Sequence, residues 1–524
     1  MKTPIYDFVK RYMDLRPARF HMPGHKGRGP LGCEALDLTE IPGADSLYEA
    51  SGIIAESEAN ASARFGCPSF YSTEGSSQCI RAMLLLAKQA TGNRQQATGD
   101  GEKAFPAGHS ERSEGSVLPA VRGAASHWLA MTQGRPRFRV LAARNVHCAF
   151  LTAAALLDLD VAWLPPADGS YLSAAVTPEA LDAALAETGA GAVYLTCPDY
   201  LGKLPDLGPL AAVCRARNAL LLVDNAHGAY LRFLSPSRHP MDLGADLCCD
   251  SAHKTLPVLT GGAYLHVSER LLSAGRETRP LRPGSEAIPL RGRWHPASPA
   301  SWMTDEGSSP VSPREALALF GSTSPSYLIL QSLDLANPYL ETLPERLAAF
   351  LPRVEALKAR LTAAGWRLTG DEPLKLTLSL PPVGTSIACP PPLSEFLEER
   401  GVFCEFADPE HLVFLLSPEN PPEDLERLEQ ALNAFPQAAN CQNQAVTEET
   451  LPPAALPERV CSIREAMLAP AVTVPAGESL GRVLARPGVS CPPAVPILMP
   501  GERIDAAALA AFARYGVETV RVLP

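Results

Sequence analysis

Three short apolar runs constrain this chain more than any other feature: residues 138–143 (Phe-Arg-Val-Leu-Ala-Ala), 191–196 (Gly-Ala-Val-Tyr-Leu-Thr) and 219–223 (Ala-Leu-Leu-Leu-Val). Each is bounded by polar or turn residues, and between the last two Leu207 to Asn218 carries the helical spacing of Leu210, Val213 and Cys214. Strands that are apolar throughout, rather than alternating, are covered on both faces, and a helix between two of them is the crossover a parallel pair requires. The expectation is an α/β fold with a mostly parallel sheet. Ligands of such sheets gather at the carboxyl ends of the strands. Asp224, which ends the third run, His147, which follows the first, and the loop after Thr196 should therefore meet.

At 524 residues the chain exceeds what one core usually serves. A large domain is expected over 1–336, interrupted by two segments of little periodicity, 91–137 and 275–311, whose composition argues for disordered surface insertions rather than lids. A second, small α+β unit is expected over 337–436. In it, helical patterns from 341 to 364 precede the alternating Lys375-Leu-Thr-Leu-Ser-Leu380. The segments 401–406 and 411–416 then read as an antiparallel pair, and a helix as running from Pro422 to Phe435. A polar stretch, 437–449, leads to a Pro-rich third unit over 450–524 that is too short for a large core of its own.

The net charge of −11 leaves no electrostatic footprint for nucleic acid or an anionic membrane. No apolar stretch reaches the ~18 residues of a membrane span, and the start lacks the apolar core of a signal peptide, so a cytoplasmic protein is expected. The 13 cysteines are scattered without a CxxC pair, which suits reduced thiols better than disulfides or zinc, and no metal is expected.

The chemistry is carried by Lys254, inside Asp250-Ser-Ala-His-Lys-Thr-Leu-Pro257, 30 positions after Asp224. A lysine that forms an imine with an aldehyde cofactor needs a second group to keep the cofactor's ring nitrogen protonated, and a carboxylate at a strand's end does this. Pyridoxal 5'-phosphate (PLP) is the cofactor that uses such a pair. Its phosphate needs donors without bulk. Ser72-Thr-Glu-Gly-Ser-Ser77 opens an apolar helical run, so Gly75, Ser76 and Ser77 would offer hydroxyls and N–H groups at a helix start, where the dipole favours an anion.

Taken together, His21-Met-Pro-Gly-His-Lys-Gly27, Asp224-Asn-Ala-His-Gly228, Ser251-Ala-His-Lys-Thr-Leu-Pro257, Ser322-Thr-Ser-Pro-Ser-Tyr327 and Pro500-Gly-Glu-Arg503 resemble the PLP-dependent ornithine/lysine/arginine decarboxylases. The resemblance spans the whole chain apart from the two insertions and, with no receiver-like domain ahead of His21, is to the family's short form. It implies the type I fold of PLP-dependent transferases, a decarboxylase-type domain over 450–524, and a homodimer or larger assembly with active sites at the interface. The implied activity is release of CO2 from a basic amino acid to give a polyamine-pathway amine.

The resemblance also assigns roles. Lys254 would be the cofactor lysine, Asp224 the partner of the pyridine nitrogen, and His147 the group stacked on the ring. His227 would face the ring or the substrate carboxylate, and His253 would donate to the phosphate or act as an acid. Ser251 would add a hydroxyl to the phosphate, and Ser322, Thr323 and Ser324 would reach that of the neighbouring subunit. Where the family more often shows Asn-Gly-Ser-Thr, this chain has Glu74 beside the phosphate, which must point away or weaken binding. A basic substrate also requires a carboxylate for its distal cation, and Glu405 and Asp45 are the candidates. Two alternatives stand beside decarboxylation. One is an aminotransferase or other lyase on the same fold, against which the strands between 375 and 416 offer no Arg for the α-carboxylate. The other is a catalytically weakened binding or regulatory homologue.

Overall fold

The computed structural model describes residues 1–98, 137–164, 171–274, 311–380, 392–435, 456–488 and 493–524. The large unit is built on a seven-stranded sheet of β1 (Ser69–Ser72), β2 (Arg139–Ala143), β3 (Asp160–Leu164), β4 (Ala192–Thr196), β5 (Leu220–Asp224), β6 (Leu247–Asp250) and β7 (Ala263–Val267), in the order β1-β7-β6-β5-β4-β2-β3. The pairs from β3 to β6 are parallel, and β7 runs against both its neighbours.

The three expected runs are β2, β4 and β5. The expected helix is Leu207–Ala216, the helices Cys148–Leu156 and Pro178–Thr188 make two further crossovers, and β5 reaches β6 through the short 3-10 helix Ala229–Phe233. Two cores explain why the interiors of these strands are apolar on both faces. Ala192, Tyr194, Leu220, Leu222 and Leu247 face one core, and Val193, Leu195, Leu221, Val223 and Cys248 face the other. Burying each such aliphatic chain contributes roughly 1.5–3 kcal/mol relative to exposure.

The helix Gly75–Thr98 runs into the segment expected to be an insertion from 91. The remainder of that insertion, 99–136, lies outside the described residues, as do 275–310 of the second and the linker 437–449.

The small unit contains β8 (Arg367–Thr369), β9 (Lys375–Ser379), β10 (Phe406–Ala407) and β11 (His411–Leu415), antiparallel in the order β10-β11-β9-β8. Two expectations need correction. The run 401–406 is not a strand along its length, because its first residues close the preceding helix: Gly401 takes φ +71°, and the Gly401 and Val402 N–H groups return to the Glu398 and Leu397 carbonyls. Pairing with β11 begins at the Glu405 N–H, 2.9 Å from the Val413 carbonyl. The boundary at 336/337 falls inside one continuous helix, Tyr327–Ala363, which carries the chain from the large unit to the small one despite Pro338, Pro344 and Pro352. Its buried face (Leu340, Leu343, Leu347, Phe350, Val354, Leu357, Leu361) keeps the helical spacing and so holds those prolines in place.

In the C-terminal unit, β12 (Val472–Pro475), β13 (Leu484–Arg486) and β14 (Thr519–Val522) form a sheet ordered β12-β14-β13 over a small core of Leu484, Leu498, Ile504, Phe512, Val520 and Val522. This unit is tied to the large one by a buried bidentate pair. The Arg144 guanidinium donates to both Glu502 oxygens, at 2.7 and 2.9 Å. No helix among the described residues is long and apolar enough to cross a membrane.

Candidate active site

The carboxyl ends of β2, β4, β5 and β6 deliver the candidate residues to one place. Asp224, the last residue of β5, is buried. Its carboxylate receives the Tyr194 hydroxyl at 3.1 Å, the Ala226 N–H at 3.2 Å and the Cys249 thiol at 3.6 Å. Each oxygen of an ionised carboxylate has two acceptor sites, so capacity remains for a further donor. Ser251 follows β6 and starts the short helix Ala252–Thr255, which turns Lys254 back over the sheet end.

Lys254 Nζ lies 2.8 Å from His227 Nε2. His227 is buried, and burial first, then the positive charges of Lys254 and Lys375, hold its pKa well below the usual imidazole value. His147 caps the helix Cys148–Leu156, its Nδ1 accepting the Ala149 N–H at 3.1 Å, and burial lowers its pKa against the opposing charge of Asp224. His253 places Nδ1 3.0 Å from the Gly262 carbonyl, so this nitrogen carries its proton when the ring is neutral.

At the expected phosphate loop, Gly75 sits at φ +73° with open space where a side chain would stand. Ser76 and Ser251, from separate elements, bring their hydroxyls to 2.9 Å. Ser77 lies in the same first turn of the helix Gly75–Thr98. Glu74 is exposed and accepts the Ser322 N–H, so its carboxylate is directed to the 322–324 loop. That contact sets Ser322, Thr323 and Ser324, all exposed, beside the phosphate loop of their own chain.

The two candidates for a distal cation differ in surroundings. Asp45 receives the N–H groups of Ser51 at 3.1 Å, Gly52 at 2.8 Å and Ile54 at 3.1 Å, so its carboxylate caps the start of the helix Ile53–Phe65. A carboxylate so occupied has little capacity left for a substrate, which corrects the expectation that Asp45 serves as a ligand. Glu405 is half-buried, accepts the Tyr200 hydroxyl at 3.1 Å, and its charge acts on both His253 and Lys375.

Sequence reasoning missed Lys375 and Tyr200. Lys375 opens β9 and is buried, its Nζ 3.0 Å from the Asp199 carbonyl, 3.3 Å from that of Tyr200 and 3.4 Å from His227 Nδ1. Tyr200 packs edge-on to the His227 ring. The alternation of Lys375-Leu-Thr-Leu-Ser-Leu380 gave the one available signal: if the Leu face is core, Lys375 and Thr377 share the opposite face, and here that face is covered by the 199–202 loop.

Behind the site, His239, Cys248 and Asp250 offer ligand atoms within 4.8 Å of one another. One Asp250 oxygen already accepts from His239 and His266, at 3.0 and 3.1 Å, and the other accepts from Asn225 at 2.7 Å, which accounts for the cluster as a hydrogen-bonded network.

The residues fit PLP. A helix start with two hydroxyls and an open glycine suits a phosphate, Asp224 suits a ring nitrogen and Lys254 an aldehyde, while Asn145 Oδ1 and Thr255 Oγ1 are buried with no hydrogen-bond partner among the described residues.

The chain is 26% identical to an arginine decarboxylase of Bacillus subtilis, over 96% of its own length and 91% of the relative's. It is also 26% identical to one from Halalkalibacterium halodurans, over 97% and 92%. No family model matches. Among solved structures, the lysine decarboxylase of Francisella novicida superposes with a TM-score of 0.69 at 16% identity, covering 100% of this chain and 81% of that one. The constitutive lysine decarboxylase of E. coli gives 0.65 at 18%, with 100% and 82% covered. The fold is that of these enzymes, the type I fold of PLP-dependent transferases.

Proposed function

We propose that this chain is a PLP-dependent decarboxylase that converts a basic amino acid to the corresponding amine and CO2. The observation that carries the reading is the convergence of Lys254, Asp224, His147 and the Gly75–Ser77 helix start at the carboxyl edge of one mostly parallel sheet. Relatives named arginine decarboxylase, matched over nearly their whole length, support a basic substrate and make arginine the first to test.

PLP supplies the aldehyde that links covalently to the amino acid and the ring that takes up the electron pair left by CO2. Gly75, Ser76, Ser77 and Ser251 would hold the phosphate. Ser322, Thr323 and Ser324 would complete that hold, or do so for a second subunit in a homodimer. Asp224 would keep the ring nitrogen protonated, its buried carboxylate held in place by Tyr194 and Ala226. His147 would cover a ring face, with its own orientation fixed by the helix it caps. Lys254 Nζ and His227 Nε2, 2.8 Å apart, would return the proton to the α-carbon, with His253 a further candidate acid. Burial of His227 and Lys375 makes the reaction volume poor in water, which disfavours the substrate's carboxylate relative to neutral CO2. Glu405 would receive the distal cation. A cytoplasmic enzyme of polyamine formation is consistent with this chemistry.

Release of CO2 from arginine, lysine and ornithine by PLP-loaded protein, with amine formation measured in parallel, tests the reading. Stoichiometric CO2 and amine from at least one of the three is expected. Transfer of the amino group to a 2-oxo acid without CO2 would instead identify an aminotransferase.

A further inference from the structure

The turn from Asp224 to Gly228 carries two candidate site residues, Asp224 and His227, and it is fastened from behind through Asn225. The Asn225 N–H reaches the Cys249 carbonyl at 3.0 Å, and its side-chain amide donates to Asp250 Oδ1 at 2.7 Å. The Gly228 N–H closes the turn on the Asn225 carbonyl at 2.8 Å, and a side chain at Gly228 would run into the Asn225 amide. Asp250 is wholly buried, so whatever balances its charge decides how firmly it can hold Asn225.

Its other oxygen, Oδ2, lies 3.0 Å from His239 Nε2 and 3.1 Å from His266 Nε2, and both rings are wholly buried. A carboxylate only accepts, so each of these nitrogens must carry a proton. At the opposite nitrogen the two rings differ. His239 Nδ1 accepts the Met241 N–H at 3.4 Å. His266 Nδ1 faces Ser69 Oγ at 2.8 Å, but the single Ser69 hydroxyl proton is given to the Cys67 carbonyl at 2.9 Å, so toward His266 this hydroxyl can only accept. Cys67 Sγ, a weak donor, is the other neighbour of that nitrogen, at 3.8 Å, and Cys248 Sγ lies 3.7 Å from Asp250 Oδ1.

Sheet register produces the arrangement, because His266 on β7 stands opposite Ser69 on β1 and Cys248 on β6. The rings of Phe65 and Tyr264, with centroids 4.6 and 5.7 Å from that of His266, add aromatic surface that suits a cation. Burial opposes a charge on His266, but Asp250 and then Cys67 outweigh it and raise its pKa. Burial likewise opposes the charge of Asp250, yet His239 and His266 hold its carboxyl below the usual carboxylate range.

We propose that His266 is a buried imidazolium whose ion pair with Asp250 anchors the Asn225 amide, which makes Asn225, Asp250 and His266 positioning residues for Asp224 and His227. The three act through the turn and not on the reacting atoms. Because the pair balances its own charge, it holds the turn without setting a second uncompensated carboxylate behind Asp224. The proposal rests on Asp224 as the partner of the PLP ring, but its tests read histidine protonation and cofactor affinity rather than turnover, so their failure and that of the decarboxylase reading are distinguishable.

Three measurements decide it. Nitrogen-15 NMR of histidine-labelled, cofactor-free protein at about pH 8, roughly 1.5 units above the free-imidazole value, should show both nitrogens of His266 protonated; one bare nitrogen overturns the proposal. Asn225→Ala should raise the PLP dissociation constant by roughly ten- to a hundredfold, as expected for losing a hydrogen bond to a charged group, and should shift the ring signals of His227 while those of His266 stay. Unchanged affinity or unmoved His227 signals in the folded variant contradict it. His266→Gln, which removes the charge but keeps a donor, should weaken PLP binding as well, and adding Asn225→Ala to it should cost little more, since both changes act through one contact. Effects that multiply in the double variant would reveal two separate structural roles and contradict the proposal. If the His266 variant does not fold, the protonation of His266 in the parent and the affinity of Asn225→Ala still decide.

Discussion

Lys254 and Asp224 reach the site because β5 and β6 are adjacent and parallel, so residues 30 apart in sequence leave the sheet at the same edge. Lys254→Ala should abolish turnover and remove the visible absorption near about 420 nm that a lysine-bound PLP gives, with the fold retained; substantial remaining activity would reject its role. Asp224→Ala should lower turnover by several orders of magnitude while PLP still binds weakly, and steady-state kinetics with titrated cofactor check this. Glu405→Gln should raise the Michaelis constant for the preferred basic amino acid by about ten- to a hundredfold with little change in maximal rate, since a distal contact is made equally in ground and transition states. Unchanged kinetics would make Glu405 only a partner of Tyr200. The buried histidines also set a pH response. His147, His227 and His253 all have lowered folded pKa values, so below about pH 6.5 the unfolded chain binds protons that the folded one does not. Their contribution to stability is present above that pH and is lost as pH falls toward the folded values.

The fully buried strands were legible as elements because two-sided burial leaves an unbroken apolar run, as in Ala219-Leu-Leu-Leu-Val223. The short flanking strands β1, β6 and β7 were not: Ser69-Phe-Tyr-Ser72 and Leu247-Cys-Cys-Asp250 are too short and too mixed in composition to stand out, and sheet pairing makes them strands. Gly401 misled for a related reason. An apolar run after a helix reads as a strand, while the first of its residues serve to close that helix. Asp45 illustrates a side chain whose role depends on local geometry, because the residues it caps lie 6 to 9 positions onward, outside the ordinary capping interval. Asp45→Ala should cost about 1–2 kcal/mol, seen as a lower denaturation midpoint, with the Michaelis constant unaltered. A large rise in that constant at unchanged stability would return Asp45 to the substrate site.

Across the molecule, the site was legible where its residues come from one sheet and illegible where they come from contact between units. Lys375 becomes an active-site residue only when β9 packs on the 199–202 loop, and no local pattern encodes that distance. Pro500-Gly-Glu-Arg503 was recognised as a motif but its physical role was not. Glu502 closes a buried ion pair with Arg144, three residues before His147, and the Ala494 carbonyl accepts the Cys148 N–H at 2.8 Å, so the C-terminal unit holds both ends of the loop that presents His147. Glu502→Ala leaves a buried guanidinium unpaired and should cost roughly 3–5 kcal/mol, with weaker PLP retention because that loop loosens; unchanged unfolding and cofactor affinity would show that the pair is dispensable. The central claim is that this arrangement exists to bind PLP through Lys254. Borohydride reduction of the PLP-loaded protein, followed by peptide mass mapping, tests it most directly. The account predicts a single pyridoxyl group on Lys254, absent from Lys254→Ala; a label on Lys375 or another lysine, or none on the loaded protein, would contradict it.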